Sequence, residues 1–191
     1  IYAGEAMAIL AGDAMMPLAF SLIYRSEDLS AAAVDRLIRE LAEATLAMIA
    51  GQVYDTLGGF PEGLDSHGRL DLIHANKTGA LMRAACRMGA ICGGAGGQAL
   101  EALNRYGEAV GLMFQVVDDI LDVTQSTEHL GKTAGKDKDA GKLTFPDLLG
   151  LPASREEVRR LRDEALIALE PLGKQAATLQ DLCNYLAVRT K

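Results

Sequence analysis

Gln115, Asp118, Asp119 and Asp122 lie in one short segment, FQVVDDILD. Placed on a helix at roughly 100° per residue, all four fall within an arc of about 100°. Val116, Val117, Ile120 and Val123 fall on the other faces. Like charges one, three and four residues apart repel and weaken a helix by roughly a few tenths of a kcal/mol per pair. A divalent cation would offset that repulsion. Mg²⁺ favours a few carboxylates, several waters and phosphate oxygens, so an open carboxylate face predicts a metal completed by a diphosphate group. A DDxxD on a helix can equally be a solvated acidic face. Here Leu112, Met113, Phe114 and Val117 precede the acids, and Ile120, Leu121 and Val123 follow them, so the stripe interrupts a core-type helix and implies a cavity.

Cations follow the anions closely, at Lys132, Lys136, Lys138 and Lys142, two of them behind glycine as Gly131-Lys132 and Gly141-Lys142. Charge that builds on a departing diphosphate as its carbon–oxygen bond breaks would be stabilised by such ammonium groups. For Lys136 and Lys138, ordinary loop solubility explains the residues as well. The chain contains no Ser/His/Asp or Cys/His arrangement; His67, His74 and His129 are scattered and read as structural or solvent-facing.

The rest of the 191 residues must hold these groups in place. About half are hydrophobic, Trp is absent and aromatics are few, so the core is aliphatic and the length suits one domain. A net charge of −7 argues against a nucleic-acid binder, which needs a basic face. Cys86, Cys92 and Cys183 show neither CxxC spacing nor a Cys/His cluster and read as small core residues in a reducing compartment. No stretch reads as an uninterrupted membrane span and the amino end does not read as a signal peptide, which makes a soluble cytoplasmic protein the expectation. Apolar residues recur at helical spacing and no strand alternation persists, so the fold class is all-α. Helices are expected over roughly Gly4 to Tyr24, bent at Pro17; from the N-cap Ser30 to Leu57; from about Ser66 to Ile91; and from near Gln98 through the acidic segment. A polar loop is expected from Ser126 to Gly150. Two amphipathic helices close the chain, one starting at Ser154 with Glu157 completing a capping box, the last over about Thr178 to Val188.

FQVVDDILDVTQSTEHLGKTAGKD resembles the second aspartate-rich motif, with its following lysine loop, of trans-isoprenyl diphosphate synthases such as the geranylgeranyl and farnesyl diphosphate synthases. GEAMAILAGDAMMPLAF, GQVYD and HANKTGALMRAACRMGAI resemble further segments of that family in the same order. The resemblance implies an isoprenoid-synthase-type helical bundle around a central cavity, and a prenyltransferase that condenses isopentenyl diphosphate with an allylic prenyl diphosphate. It implies that Asp118, Asp119 and Asp122 bind Mg²⁺, Asp118 most directly, with Gln115 on the same face. Lys77 and Lys132 would contact the allylic diphosphate, Lys142 would belong to a loop closing over the site, and Thr78 would stabilise the developing allylic cation. Gln52 and Asp55 would point into the cavity. The first two helices would pack against their copies in a homodimer.

The sequence departs from the family in having no first aspartate-rich segment and no Arg-Arg-Gly before Ile1. The expectation is that the amino-terminal helices are missing and that the 191-residue chain alone makes no product. Two alternatives are a non-catalytic synthase-like partner subunit, against which Asp118, Asp119, Asp122, Lys77 and Lys132 argue, and a terpene cyclase, which the Lys-Thr helix and the glycine-lysine loop disfavour.

Overall fold

The structure, a computed structural model, describes residues 4–129 and 143–190. Helices α1 (Gly4–Tyr24), α2 (Ala31–Leu57), α3 (Ser66–His74), α4 (Ala80–Cys92) and α5 (Gly97–His129) are followed by α6 (Phe145–Leu149), α7 (Leu151–Ala168) and α8 (Ala177–Val188). No strand occurs among the described residues, so the fold is all-α as expected. Ser30 caps α2 by accepting from Ala33 N at 3.2 Å.

α5 is the axis of the bundle, packed chiefly between α4 and α7. Its buried residues Tyr106, Val110, Met113, Val116 and Val117 form one core with Val158, Leu161 and Ala165 of α7 and Cys183 of α8. Tyr106 is 1% exposed, and its hydroxyl donates to Leu179 O at 2.8 Å, which satisfies the one polar atom that this burial would otherwise strand.

Several expectations change. The helix expected from Ser66 to Ile91 is broken into α3 and α4 by a π turn over Ala75–Gly79. At its edge Asn76 Nδ2 donates to Leu72 O at 2.8 Å, a side chain serving a carbonyl where the regular ladder widens. The turn is pinched from both sides by glycines. A methyl at Gly51 of α2 would fall 2.7 Å from Lys77 Cα and 2.9 Å from the Asn76 carbonyl carbon, and one at Gly111 of α5 would fall 2.7 Å from Gly79 Cα. Both helices approach the turn only because these positions lack Cβ.

The loop expected from Ser126 starts later, since α5 runs to His129, and α6 occupies part of it. α7 begins at Leu151, capped by Gly150 at φ 79°, with Pro152 in its first turn. Ser154 is therefore interior: it is buried, and its hydroxyl donates to Gly150 O at 2.9 Å. Glu157 pairs with Arg160, whose guanidinium holds the carboxyl below its usual range. Of the cysteines, Cys183 is buried and its thiol is pushed up to about 11 by desolvation, whereas Cys92 is exposed rather than core. It is the last residue of α4, and Gly93 and Gly94 end the helix there against solvent.

α1 bears on the membrane expectation without contradicting it. By length and composition it could cross a bilayer, with a mean hydropathy of 1.8 over its best window, because Glu5 and Asp13 are outweighed by aliphatic neighbours. A core helix of a soluble protein passes the same test. None of its residues is buried, and among the described residues it packs on α2 alone. Met7, Leu10, Leu18 and Leu22 are exposed on it, as are Leu46, Ile49 and Val53 of α2.

Three helices are tied by Arg87. Its guanidinium grips Glu40 of α2 through two bonds of 2.8 and 2.6 Å and donates to Asn104 of α5 at 3.1 Å. The Arg87 hydrogen bonds hold the Glu40 carboxyl below its usual value against the opposing effect of burial. A depressed native pKa gives stability that is present above the unfolded carboxylate pKa and is lost as pH falls through the native one. Glu40→Gln should therefore cost about 2 kcal/mol at pH 7. The difference from the unsubstituted chain should shrink at acid pH and close once pH has fallen through the lowered native value, so that Glu40 is protonated in both states. Urea midpoints at neutral and acid pH test this, and a gap that does not depend on pH would contradict it.

Candidate active site

The chemistry-bearing residues converge on the π turn and the middle of α5. On α5 the acidic stripe divides. Asp118, with a side chain 39% exposed, looks outward; its Oδ2 accepts a long 3.4 Å bond from Gln115 Nε2, and its Oδ1 is paired with Arg189. Asp119 turns inward, its side chain 5% exposed, and accepts from Phe145 N at 3.0 Å. Asp122 is exposed. Consecutive residues on a helix diverge by about 100°, so Asp118 and Asp119 cannot both look out of the same opening, whereas Asp118 and Asp122, one turn apart, can.

The inward carboxylate has a structural task. It meets the first N–H of α6, one of the donors a helix start leaves without an internal partner. His74, at the last position of α3, completes the arrangement. Its Nδ1 is hydrogen bonded to Gln115 Oε1 at 3.2 Å, and its ring stacks on Phe145 with centroids 5.5 Å apart. Its Nε2 lies 3.4 Å from Asp119 Oδ2, but without hydrogen-bond alignment, so this is electrostatic proximity only. Of the two expected readings His74 takes the structural one: it is buried and braces Gln115. Its only trace in the sequence is its place one turn ahead of Lys77 in HANKT.

Across the π turn, Lys77 Nζ meets Asp55 Oδ2 of α2 at 2.6 Å, with the side chains 31% and 13% exposed. The pairing places two expected site residues together. Thr78 is half-buried on the same turn. Gln52 is exposed and bonds along its own helix, Nε2 donating to Thr56 Oγ1 at 2.7 Å. Lys132 and Lys142, with Lys136 and Lys138, lie outside the described residues. Two clefts of about 530 and 610 Å³ border α5, and the linings of both leave out Asp118 and Lys77.

Arg189, immediately after α8, was not singled out from the sequence. Its guanidinium lies over the Phe114 ring at 4.0 Å from the centroid and approaches Phe114 O at 3.4 Å, besides pairing with Asp118. No group of three or more metal-type ligands occurs among the described residues. The metal-type donors that face outward, the carboxylates of Asp118 and Asp122, are oxygen-type, while the Gln115 amide oxygen is taken up by His74. That set fits Mg²⁺, which takes one or two protein carboxylates and completes its shell with water and phosphate oxygens.

Residues 1–181 match the family described as polyprenyl synthetase. The chain is 49% identical to chloroplastic geranylgeranyl pyrophosphate synthase 11 of Arabidopsis thaliana over 97% of its own length and 54% of that protein's. It thus spans about half the length of the curated relatives it matches. Among solved structures it resembles geranylgeranyl pyrophosphate synthetase of Pyrococcus horikoshii, with a TM-score of 0.80 and 25% identity over 97% of this chain and 68% of that one. It also resembles a geranyltransferase from Helicobacter pylori complexed with magnesium and isoprenyl diphosphate, with a TM-score of 0.74 and 33% identity over 97% and 60% of the two chains. The plant relatives are chloroplastic by name, a finding that overturns the expected cytoplasmic location. An aliphatic core and unpaired thiols suit any reducing compartment, so composition could not separate the two.

Proposed function

We propose, because this chain belongs to the polyprenyl synthetase family, that the protein it represents condenses isopentenyl diphosphate with an allylic diphosphate. The chain supplies, as one domain, the part of the site built on α2, the π turn and α5. In the reaction the allylic carbon–oxygen bond breaks and diphosphate leaves with the electron pair. The isopentenyl double bond attacks the resulting cation, and loss of a proton restores a double bond. Asp118 and Asp122 would hold Mg²⁺. When bound, the metal neutralises charge on the diphosphate. Asp119 acts behind them as a positioning residue, fixing α6 against α5.

Lys77 places an ammonium group beside the departing diphosphate, with Lys132 assigned the same task, while Asp55 holds Lys77 in place. Thr78 presents its oxygens to the allylic cation, and Gln115 aligns Asp118. Gln52 lines the entrance rather than the reacting centre, in keeping with its exposed position. The observation that supports this reading best is the partly exposed Asp118, bonded to Gln115, which is in turn braced by His74, three residues before Lys77 in the chain.

Isothermal titration tests it. A bisphosphonate should bind this chain only when Mg²⁺ is present, and Asp118→Asn should remove that dependence. Binding that ignores Mg²⁺, or no binding, would instead favour a non-catalytic partner subunit. We also assign the exposed apolar faces of α1 and α2 to a homodimer interface, since side chains such as Leu10, Leu18 and Ile49 would otherwise meet water. Light scattering should give twice the chain mass, and Leu18→Asp should shift it toward the single-chain value. A monomer at micromolar concentration before substitution would refute the assignment.

A further inference from the structure

Asp118 already has a cation. Arg189 is anchored to it by an ion pair, by the Phe114 ring at 4.0 Å and by Phe114 O at 3.4 Å, and its side chain is only 12% exposed. The seat is incomplete, because Arg189 Nε is buried without a hydrogen-bonded partner. A guanidinium held this way depends on the carboxylate for its strongest contact, since ring and carbonyl contacts are weaker than a charge-assisted bond.

The outward carboxylates of the site lie on one face of α5, so a divalent cation arriving there approaches a positive charge in a partly desolvated setting. Like charges so placed repel, and both compete for Asp118. On this ground, and resting on the proposed metal role of Asp118, we propose that Arg189 is an internal counter-cation of Asp118, so that seating of the segment after α8 and binding of a divalent cation at Asp118 oppose one another. The coupling is reciprocal. Whatever factor Arg189 takes from metal affinity, the metal takes from the seating of Arg189. Arg189 thus sets how readily the site loads with metal, and the carboxyl-terminal end of α8 reports whether it has.

The test combines Mg²⁺ calorimetry with amide hydrogen exchange of residues 186–190, on this chain and on Arg189→Gln and Asp118→Asn. Arg189→Gln should bind Mg²⁺ about tenfold more tightly; a residue serving only to support the fold would leave the affinity unchanged or weaken it. In the unsubstituted chain Mg²⁺ should speed exchange at 186–190, and Asp118→Asn should do the same with no metal present. Equal or weaker Mg²⁺ binding by Arg189→Gln overturns the proposal while leaving the metal role of Asp118 intact. Slow exchange that persists in Asp118→Asn also overturns it. If Mg²⁺ binds neither the unsubstituted chain nor Arg189→Gln, the metal role itself fails and the opposition falls with it.

Discussion

Replacing Gly51 with alanine should destabilise the chain by about 3 kcal/mol or more, a large share of what holds a domain of this size together. The added methyl would meet backbone, Lys77 Cα at 2.7 Å and the Asn76 carbonyl carbon at 2.9 Å, and backbone inside a helical turn cannot rotate away as a side chain can. Relief requires α2 to move off the π turn, which would also pull Asp55 from Lys77. Gly89→Ala is the matched control. That glycine is also within a helix, but a Cβ there meets nothing within 4 Å, so alanine should be neutral or stabilising by up to about 1 kcal/mol. Urea unfolding of the two variants side by side reads the difference. Similar midpoints for both would mean that the pinch on the π turn carries no energetic weight.

The largest effect on turnover is expected at Lys77. An ammonium group aimed at charge that develops on a leaving group is worth far more in the transition state than before it, so Lys77→Ala in the full-length protein should lower the rate of isopentenyl transfer by about 10²- to 10³-fold. Asp55 would lose its 2.6 Å partner, but both side chains retain some exposure and water can replace part of the contact. The accompanying stability loss should be about 1 kcal/mol, too small to empty the folded state. Incorporation of labelled isopentenyl diphosphate, together with a melting curve, separates the two effects. If transfer by Lys77→Ala stays within a few-fold of the parent, Lys77 is a structural partner of Asp55 and nothing more.

Helix existence was legible because it rests on spacing and punctuation. The bounds Gly4–Tyr24 and the Ser30 cap follow from a run of apolar residues ended by polar ones, and from a hydroxyl placed to meet a free N–H. Asp118 and Lys77 stand out along the chain as candidates, since few structural needs place three acids in a core-type helix. What the sequence did not yield is whatever depends on a second element. A π turn differs from an α turn by one residue of accommodation, and nothing in ANKTG announces it. Gly51 and Gly111 read as ordinary helix-weakening glycines until the turn that they touch is seen. Asp119 looks like a third ligand along the chain, and becomes a brace only once α6 arrives to offer Phe145 N. Ser154 with Glu157 matched a capping box by spacing, but Gly150 and Pro152 had already started the helix. Arg189 pairs with Asp118 across 71 residues, a separation that no local pattern encodes.

The π turn also acts as a phase adjuster between two otherwise regular rods. Each residue added to or removed from a helix rotates everything beyond it by about 100°. His74 faces α5 on one side of the turn, and Arg87 reaches both Glu40 and Asn104 on the other. Removing a single residue between 75 and 79 would shorten the rod by only about 1.5 Å, yet it would swing one of these faces away from its neighbours. The wide turn thus keeps two rotational settings in step that a continuous helix of the same sequence could not hold together.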